Sequence, residues 1–415
     1  MIDQLHDVIQ MVEQEWPTKR LLVLGDVMLD KYIWGEVGRI SPEAPVAVVR
    51  TTNQSEQPGG AANVAMNLAN LGASVVLVGF TGGDSDERLL TARLQPHGID
   101  PVFISCEGFP TITKTRIIGG RQQMLRLDRE NLGMRAESDH CRLLAKVLEE
   151  LPRCHAVVLS DYAKSVLVPK LCQAVITEAR RLGIPVLVDP KNDFSRYKGA
   201  TTICPNLQEL SVTVPEDGQD LEAILTAGER LVAEFDLEYL TPTLSEKGIA
   251  VIRPGRRFLA PAVARQVFDV SGAGDTVISV LALCLASDLA IEPSVQLANI
   301  AAGIVVGKVG TVPVEKFELL AALAPDIALH AEEKVLTWEE LMRRVAVWRA
   351  SGETVVFTNG CFDLLHVGHI TLLENCRHYG SKLVLGLNTD ASISRLKGLS
   401  RPIVGERERA RVMPR

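Results

Sequence analysis

Short apolar runs recur along the first 250 residues with helical stretches between them. This alternation constrains the fold more than any other feature of the chain. Residues 21–24, 75–79, 156–160, 185–189, 203–205 and 250–252 read as strands, and 61–71, 139–149, 170–182 and 220–235 carry apolar side chains at helical spacing. The pattern predicts an α/β domain of layered α/β/α type around a largely parallel sheet. Residues 1–18 read as an amphipathic helix with Ile2, Leu5, Val8, Ile9 and Val12 on one side. Two stretches, 34–50 and 101–128, instead alternate residue by residue, as in Val46-Ala47-Val48-Val49 and Thr111-Ile112-Thr113-Lys114-Thr115. They predict exposed strands forming a small separate sheet. Between about 312 and 350 the pattern lapses, and Thr337 with Glu340 makes a capping box ahead of a charged helix. A new strand at 354–357 opens a second α/β pattern. The expected division is a first domain at 1–318, a helical linker at 319–351 and a second, partial domain at 352–415.

Composition narrows the function classes. Hydrophobic residues are 47% and charged residues 23% of 415, enough apolar material for a core, which excludes a disordered chain or a disulfide scaffold. The formal charge of -7 argues against a broad nucleic-acid-binding surface. Small anions held in local pockets are the expected partners. The eight cysteines form no C-x-x-C pair and read as thiols of a reduced cytosolic protein. The N-terminus shows no basic region followed by an apolar stretch, and the most apolar segment, 277–291, contains Asp288 and is too short to span a bilayer. A soluble cytoplasmic protein without membrane partners is the expectation.

Two glycine-rich turns carry the chemistry. In Asp269-Val270-Ser271-Gly272-Ala273-Gly274-Asp275-Thr276, small residues precede a strongly apolar helix. Backbone N–H groups at such a helix start favour an anion, and an adjacent aspartate can take a proton from a substrate hydroxyl while a phosphoryl group is held there. Asp at a helix start is also a plain cap. Gly59-Gly60-Ala61-Ala62-Asn63 enters an Ala-rich helix, where Asn63 can bind polyol hydroxyls or simply cap.

Together these segments resemble the two signatures of the ribokinase (PfkB-type) sugar kinase family. The likeness extends over about residues 10–318 through Gly25-Asp26…Asp30, Asp189-Pro190-Lys191 and Pro205-Asn206-Leu207-Gln208-Glu209. The resemblance implies a ribokinase-like α/β/α domain with a small β-sheet lid and an ATP-dependent sugar kinase. Asp275 would be the general base, with Gly272, Ala273 and Gly274 as the anion hole for the γ-phosphate. Asn206, Leu207, Gln208 and Glu209 would lie by the ATP phosphates, with Mg²⁺ held through ATP and water near Glu209 and no all-protein cage. Ser245, Gly248 and Asn299 would line the nucleotide side. Asp30, Gly59, Gly60, Asn63 and Lys191 would bind the sugar, and Asp269 and Ser271 a monovalent cation, K⁺. Lys114, Arg116, Arg121 and Arg126 concentrate positive charge in the second exposed-strand region, which suits a sugar phosphate; solvated edge-strand charges are the alternative.

Farther on, Cys361-Phe362-Asp363-Leu364-Leu365-His366-Val367-Gly368-His369 resembles the His-x-Gly-His signature of the cytidylyltransferase-like nucleotidyltransferases. There His366 and His369 would stabilise a nucleotide α-phosphate, with Lys397, Arg401 and Arg409 as phosphate contacts. A PfkB-type kinase followed by this turn resembles the bacterial bifunctional heptose-7-phosphate kinase/heptose-1-phosphate adenylyltransferase family. That likeness implies phosphorylation of D-glycero-β-D-manno-heptose 7-phosphate at O1 and a place in making ADP-heptose for lipopolysaccharide, and the exposed strands near 34–50 and 111–126 could pair across a homodimer. The stretch 352–415 is shorter than the roughly 100 residues of a small α/β domain, so the expectation is an incomplete Rossmann-like domain with lost or impaired adenylyltransferase activity. Two other readings stay open: a PfkB-type kinase for another sugar phosphate or a nucleoside, and a C-terminal module that binds without catalysing.

Overall fold

The computed structural model describes residues 5–120, 122–131, 133–191, 193–211, 221–263, 267, 269–308, 312–323, 335–350, 353–364, 367–398 and 401–412. The chain divides into two compact units, Met1–Leu323 and Ala324–Arg415.

The first unit is built on a sheet of nine strands: β1 (Arg20–Gly25), β4 (Ser74–Thr81), β5 (Ile99–Ser105), β8 (Ala156–Ser160), β9 (Val186–Asp189), β10 (Thr202–Ile203), β11 (Tyr239–Leu240), β12 (Ile249–Arg253) and β13 (Arg256–Ala260). Their order is β13-β12-β11-β10-β9-β8-β1-β4-β5. Strands β5 to β11 in that order run parallel, and β12 and β13 close one edge antiparallel. A parallel sheet is covered on both faces, which is why its central strands read as nearly continuous apolar runs. In β1, Leu21 and Val23 enter one apolar layer while Leu22 and Leu24 enter the other. The first layer holds the helices Ala61–Asn70, Ala273–Ala286 and Ile291–Val305; the second holds Glu137–Glu150, Pro169–Leu182 and Leu221–Glu234. Helix Ala273–Ala286 is buried along nearly its whole length, as expected of a helix that is apolar all round.

A smaller sheet of four strands forms a lid in the order β3-β2-β6-β7. It comprises β2 (Val27–Ile40), β3 (Ala47–Gly60), β6 (Ile112–Gly119) and β7 (Gln122–Arg129). Only Asp26 separates β1 from β2. The root of β2 is buried at Val27–Leu29 and its tip is exposed from Glu36 onward. Strand β7 is exposed throughout, with Leu125 and Leu127 each 51% exposed. The expected small sheet is therefore present, with one correction. Residues 101–105 pair in β5 at the edge of the main sheet, where an edge strand tolerates Pro101.

In the second unit β14 (Val355–Gly360) and β15 (Lys382–Leu387) pair in parallel, with the helices Trp338–Ala350, Val367–Tyr379, Asp390–Lys397 and Glu406–Val412. The capping box forms as read. The Thr337 N–H donates to Glu340 Oε2 at 2.8 Å, and the Glu340 N–H to Thr337 Oγ1 at 3.3 Å. Among the described residues no helix is long and apolar enough to cross a membrane.

Candidate active site

The site forms where helix Ala273–Ala286 starts beneath the lid. Gly272 sits before the first turn at φ 80°, a left-handed conformation that a side chain would strain. Asp275 follows in that turn and is 7% exposed. Its Oδ2 accepts from Asn63 Nδ2 at 2.5 Å and its Oδ1 from the Tyr162 hydroxyl at 2.9 Å. Burial pushes the Asp275 carboxyl up to about 6; the Asn63 and Tyr162 hydrogen bonds oppose that rise, Asp30 adds to it and Lys114 opposes it. A carboxylate with this balance can exchange a proton near neutral pH. Thr276 Oγ1 donates to Asn67 Oδ1 at 2.9 Å and so ties this helix to Ala61–Asn70, which carries Asn63.

On the lid side, the two glycines before Asn63 are both required. Gly60 turns the chain at φ 57°, and a Cβ on Gly59 would stand 2.3 Å from Asp30 Oδ2. Asp30 lies in the buried part of β2 and accepts from Arg116 Nη1 at 2.6 Å. The Arg116 guanidinium lies 5.2 Å from the Tyr32 ring centroid. Lys114 stands opposite Asp30 in the β2–β6 register, with its ammonium 5.6 Å from the Tyr162 ring centroid. Burial lowers the pKa of Lys114, and Asp30 partly offsets this. The structure thus brings Asp30, Gly59, Gly60, Asn63, Lys114 and Arg116 around Asp275. Arg121 lies outside the described residues. Arg126 turns to Asp128 through Nε–Oδ1 and Nη2–Oδ2 bonds, each 2.9 Å.

Behind Asp275 opens a cavity of about 660 Å³. Gly272, Ala273 and Gly274 line it, as do Asn206 and Glu209, and farther along Ser245, Gly248 and Asn299. Asn206 and Glu209 form a reciprocal cap: the Glu209 N–H donates to Asn206 Oδ1 at 2.8 Å and the Asn206 N–H to Glu209 Oε2 at 2.9 Å. Lys191, expected at the sugar, instead pairs with Glu209 at 2.7 Å and lines this cavity. Leu207 packs against the second apolar layer and Gln208 is exposed, because their positions in the helix Leu207–Ser211 point away from the cavity. The Asn299 amide donates to the Pro261 carbonyl at 2.5 Å. Asp189 also lines the cavity. Burial first, then the charges of Asp275 and Glu209, push its carboxyl well above the usual range. Asp269 accepts from the Ser271 N–H at 2.9 Å, and Ser271 itself is exposed.

Two side chains that matter here escaped the sequence reading, Tyr162 and Asp161, and Asp26 figures there only as part of the Gly25-Asp26 segment, without a role. The available signal was position. Asp161 and Tyr162 directly follow β8, at the carboxyl end of a parallel strand, where α/β sheets place their ligands.

The second unit arranges its polar residues differently. His369 lies in the first turn of helix Val367–Tyr379, with its ring 4.9 Å from that of Phe362; His366 lies outside the described residues. Lys397 is exposed at the end of its helix. Arg401 and Arg409, expected to reach phosphates, are committed internally. Arg401 Nη1 donates to Asp363 at 2.6 Å. Arg409 is 1% exposed and donates to the carbonyls of Val404 and Cys361 and to Asp390. A guanidinium so enclosed holds its own chain together.

Comparison with known proteins follows the same division. The family model described as pfkB family carbohydrate kinase matches residues 18–316, and the one described as cytidylyltransferase-like matches 357–415. The chain is 55% identical over 414 residues to "Bifunctional protein HldE" of Koribacter versatilis, covering all of this chain and 85% of that protein. It is 51% identical to the protein of that name from Magnetococcus marinus, covering 98% of this chain and 85% of the relative. Among solved structures, the tetrameric inhibited form of phosphofructokinase-2 from Escherichia coli superposes with a TM-score of 0.61 at 18% identity, and Arabidopsis thaliana ribokinase complexed with ribose and ATP with 0.57 at 21%. Each covers 74% of this chain and 98% of the neighbour, and at these identities the likeness is one of fold.

Proposed function

Since the chain belongs to the pfkB family of carbohydrate kinases and, over its whole length, to the bifunctional HldE proteins, we propose that it phosphorylates D-glycero-β-D-manno-heptose 7-phosphate at O1 with ATP. The observation that carries this reading is Asp275. It is a buried carboxylate with a pKa of about 6, set in the first turn of a helix between the lid residues and a cavity of about 660 Å³. In this reading Asp275 takes the proton from O1 as O1 bonds to the γ-phosphorus and the bond to the β-phosphate oxygen breaks, releasing ADP. On the same reading the Gly272 and Gly274 N–H groups face the charge that develops on the phosphoryl oxygens, while the Ala273 N–H, expected there too, donates to the Val270 carbonyl at 3.2 Å. Lys114 and Arg116, beside Asp30, supply the positive charge that a sugar phosphate needs, more than a neutral sugar does.

Mg²⁺ carried by ATP would lie near Glu209 in this cavity and be held through water, with no all-protein cage. Mg²⁺ there would neutralise phosphate charge. Asp269 and Ser271 are the residues offered to K⁺. The exposed leucines of β7 suit lid-to-lid pairing in a homodimer. A cytoplasmic enzyme acting on small molecules completes the reading. For the second unit, the cytidylyltransferase-like match supports nucleotidyl transfer, with His369 at the α-phosphate.

A substrate panel with ATP tests the proposal. Turnover of heptose 7-phosphate is expected, and turnover of another sugar or nucleoside in its place would overturn it. Asp275→Asn is expected to lower kcat by about 10²–10⁴ while ATP still binds. Retained turnover would remove Asp275 from the base role.

A further inference from the structure

Asp26 is fully buried and occupies the single position between the main sheet and the lid. Its main chain and its side chain hold different segments. The Asp26 N–H donates to the Ser160 carbonyl at 3.2 Å, and the Asp26 carbonyl accepts from the Ala61 N–H at 3.0 Å. That second bond fixes the start of the helix that presents Asn63. The carboxylate accepts three backbone N–H groups from one loop: Tyr162 and Lys164 on Oδ2 at 2.8 and 3.0 Å, and Val166 on Oδ1 at 3.3 Å. The loop needs such an anchor, because Ala163 and Ser165 both adopt positive φ, 57° and 70°. Asp161 braces it from the other side by accepting from the Ala163 N–H at 2.7 Å.

We infer that Asp26 is a positioning residue for the base. Through its carbonyl it places Asn63, and through its carboxylate it places Tyr162, so that one residue aligns both hydrogen-bond donors of Asp275. The inference rests on the reading of Asp275 as the base. Tyr162 acts on the proton affinity of Asp275 because its hydroxyl donates to the carboxylate. The other charged groups facing Asp275 are Asp30 from β2, Lys114 from β6 and Asp189 from β9. Without the tyrosine hydroxyl, Asp30, Asp189 and burial oppose ionisation, with only Asn63 and Lys114 favouring it.

The test is the pH profile of kcat/KM in the full chain. Tyr162→Phe is expected to move the acid limb up by about one pH unit with KM for ATP unchanged. Asp26→Asn replaces an acceptor facing the loop N–H groups by an amide donor, and is expected to move the limb in the same direction. The double variant should shift no further than the larger single shift, because both substitutions break one interaction. Where Asp26→Asn does not fold, Asp26→Glu is read in the same cycle. An acid limb that stays in place in Tyr162→Phe, or shifts that add in the double variant, would overturn the inference. Asp275→Asn separates the two ideas. If it keeps its turnover, the base reading has failed; if it loses turnover while Tyr162→Phe leaves the limb in place, only the positioning inference has failed.

Discussion

Both units hold a loop by pointing a buried aspartate at its backbone N–H groups, but they treat the charge differently. In the first unit Asp26 accepts three such bonds without a cation, and burial raises its pKa despite them. In the second unit Asp363 accepts the N–H groups of Ile403 and Val404 at 2.7 and 3.1 Å and also the Arg401 guanidinium. Burial opposes its ionisation as well, but these hydrogen bonds and the Arg401 charge together bring its carboxyl below the ordinary range. Asp275 resembles Asp26: its direct hydrogen-bond donors are neutral, an amide and a hydroxyl. The difference teaches what each carboxylate is for. The arginine-paired Asp363 stays charged and serves the fold, whereas Asp275, held by neutral donors, keeps a proton equilibrium within reach of neutral pH.

The sharpest way to break this contrast is to remove the charge at Asp275. Beyond the loss of turnover, Asp275→Asn is expected to raise the melting temperature at pH 8. The folded pKa is raised, so this group favours folding only while it is protonated and disfavours it as pH rises past about 6. A lower melting temperature at pH 8 would show that the site is not strained by its charge. The opposite case is Arg409→Leu. It leaves the Val404 and Cys361 carbonyls without their donor and is expected to cost the second unit about 2–4 kcal/mol, with kinase turnover unchanged; chemical denaturation of the full chain reads it. A smaller effect separates Asp363 from Asp26 by pH. Asp363→Asn is expected to destabilise the protein at pH 7, with the gap to wild type closing below about pH 4, because a lowered pKa contributes stability above the unfolded value and loses it on acidification. Subtlest is the wild-type rate itself. kcat/KM for the sugar is expected to be flat above pH 7 and to fall tenfold per unit below about 6, the value set for Asp275. An acid limb near 4 would place the base in an ordinary solvated environment.

Much of the architecture is legible because burial on both faces writes an unbroken apolar run. The run Leu21-Leu22-Val23-Leu24 signals a central parallel strand by itself, and Thr337 with Glu340 signals its cap in four residues. The glycine turns are legible for the same local reason, since Gly60 and Gly272 answer to their own backbone angles. What spans the chain is not. The Tyr162–Asp275 bond joins residues 113 apart, and the position of Tyr162 just after an apolar strand points to a site without naming its partner. Arg409 misleads in the other direction. A cation near a phosphate-binding signature suggests a ligand, and only the enclosure formed by Cys361, Asp390 and Val404 shows that its donors are spent. The lid strands are half-legible, because β2 is buried at its root and exposed at its tip, and no single period describes it.

Helix Ala273–Ala286 carries Asp275 at one end and is sunk in the core along the rest of its length. Amide exchange there is expected to require large openings, so the proposed proton acceptor is mounted on a part with little freedom to drift. The residues of β2 and β6 proposed to face a sugar ride on a sheet whose outer strand is open to solvent. Substitutions toward the exposed tip of that sheet can reshape the pocket for a different sugar, whereas Asp30 and Lys114 nearer its root also act on the proton affinity of Asp275. The fold thereby separates what selection can edit cheaply from what it must keep.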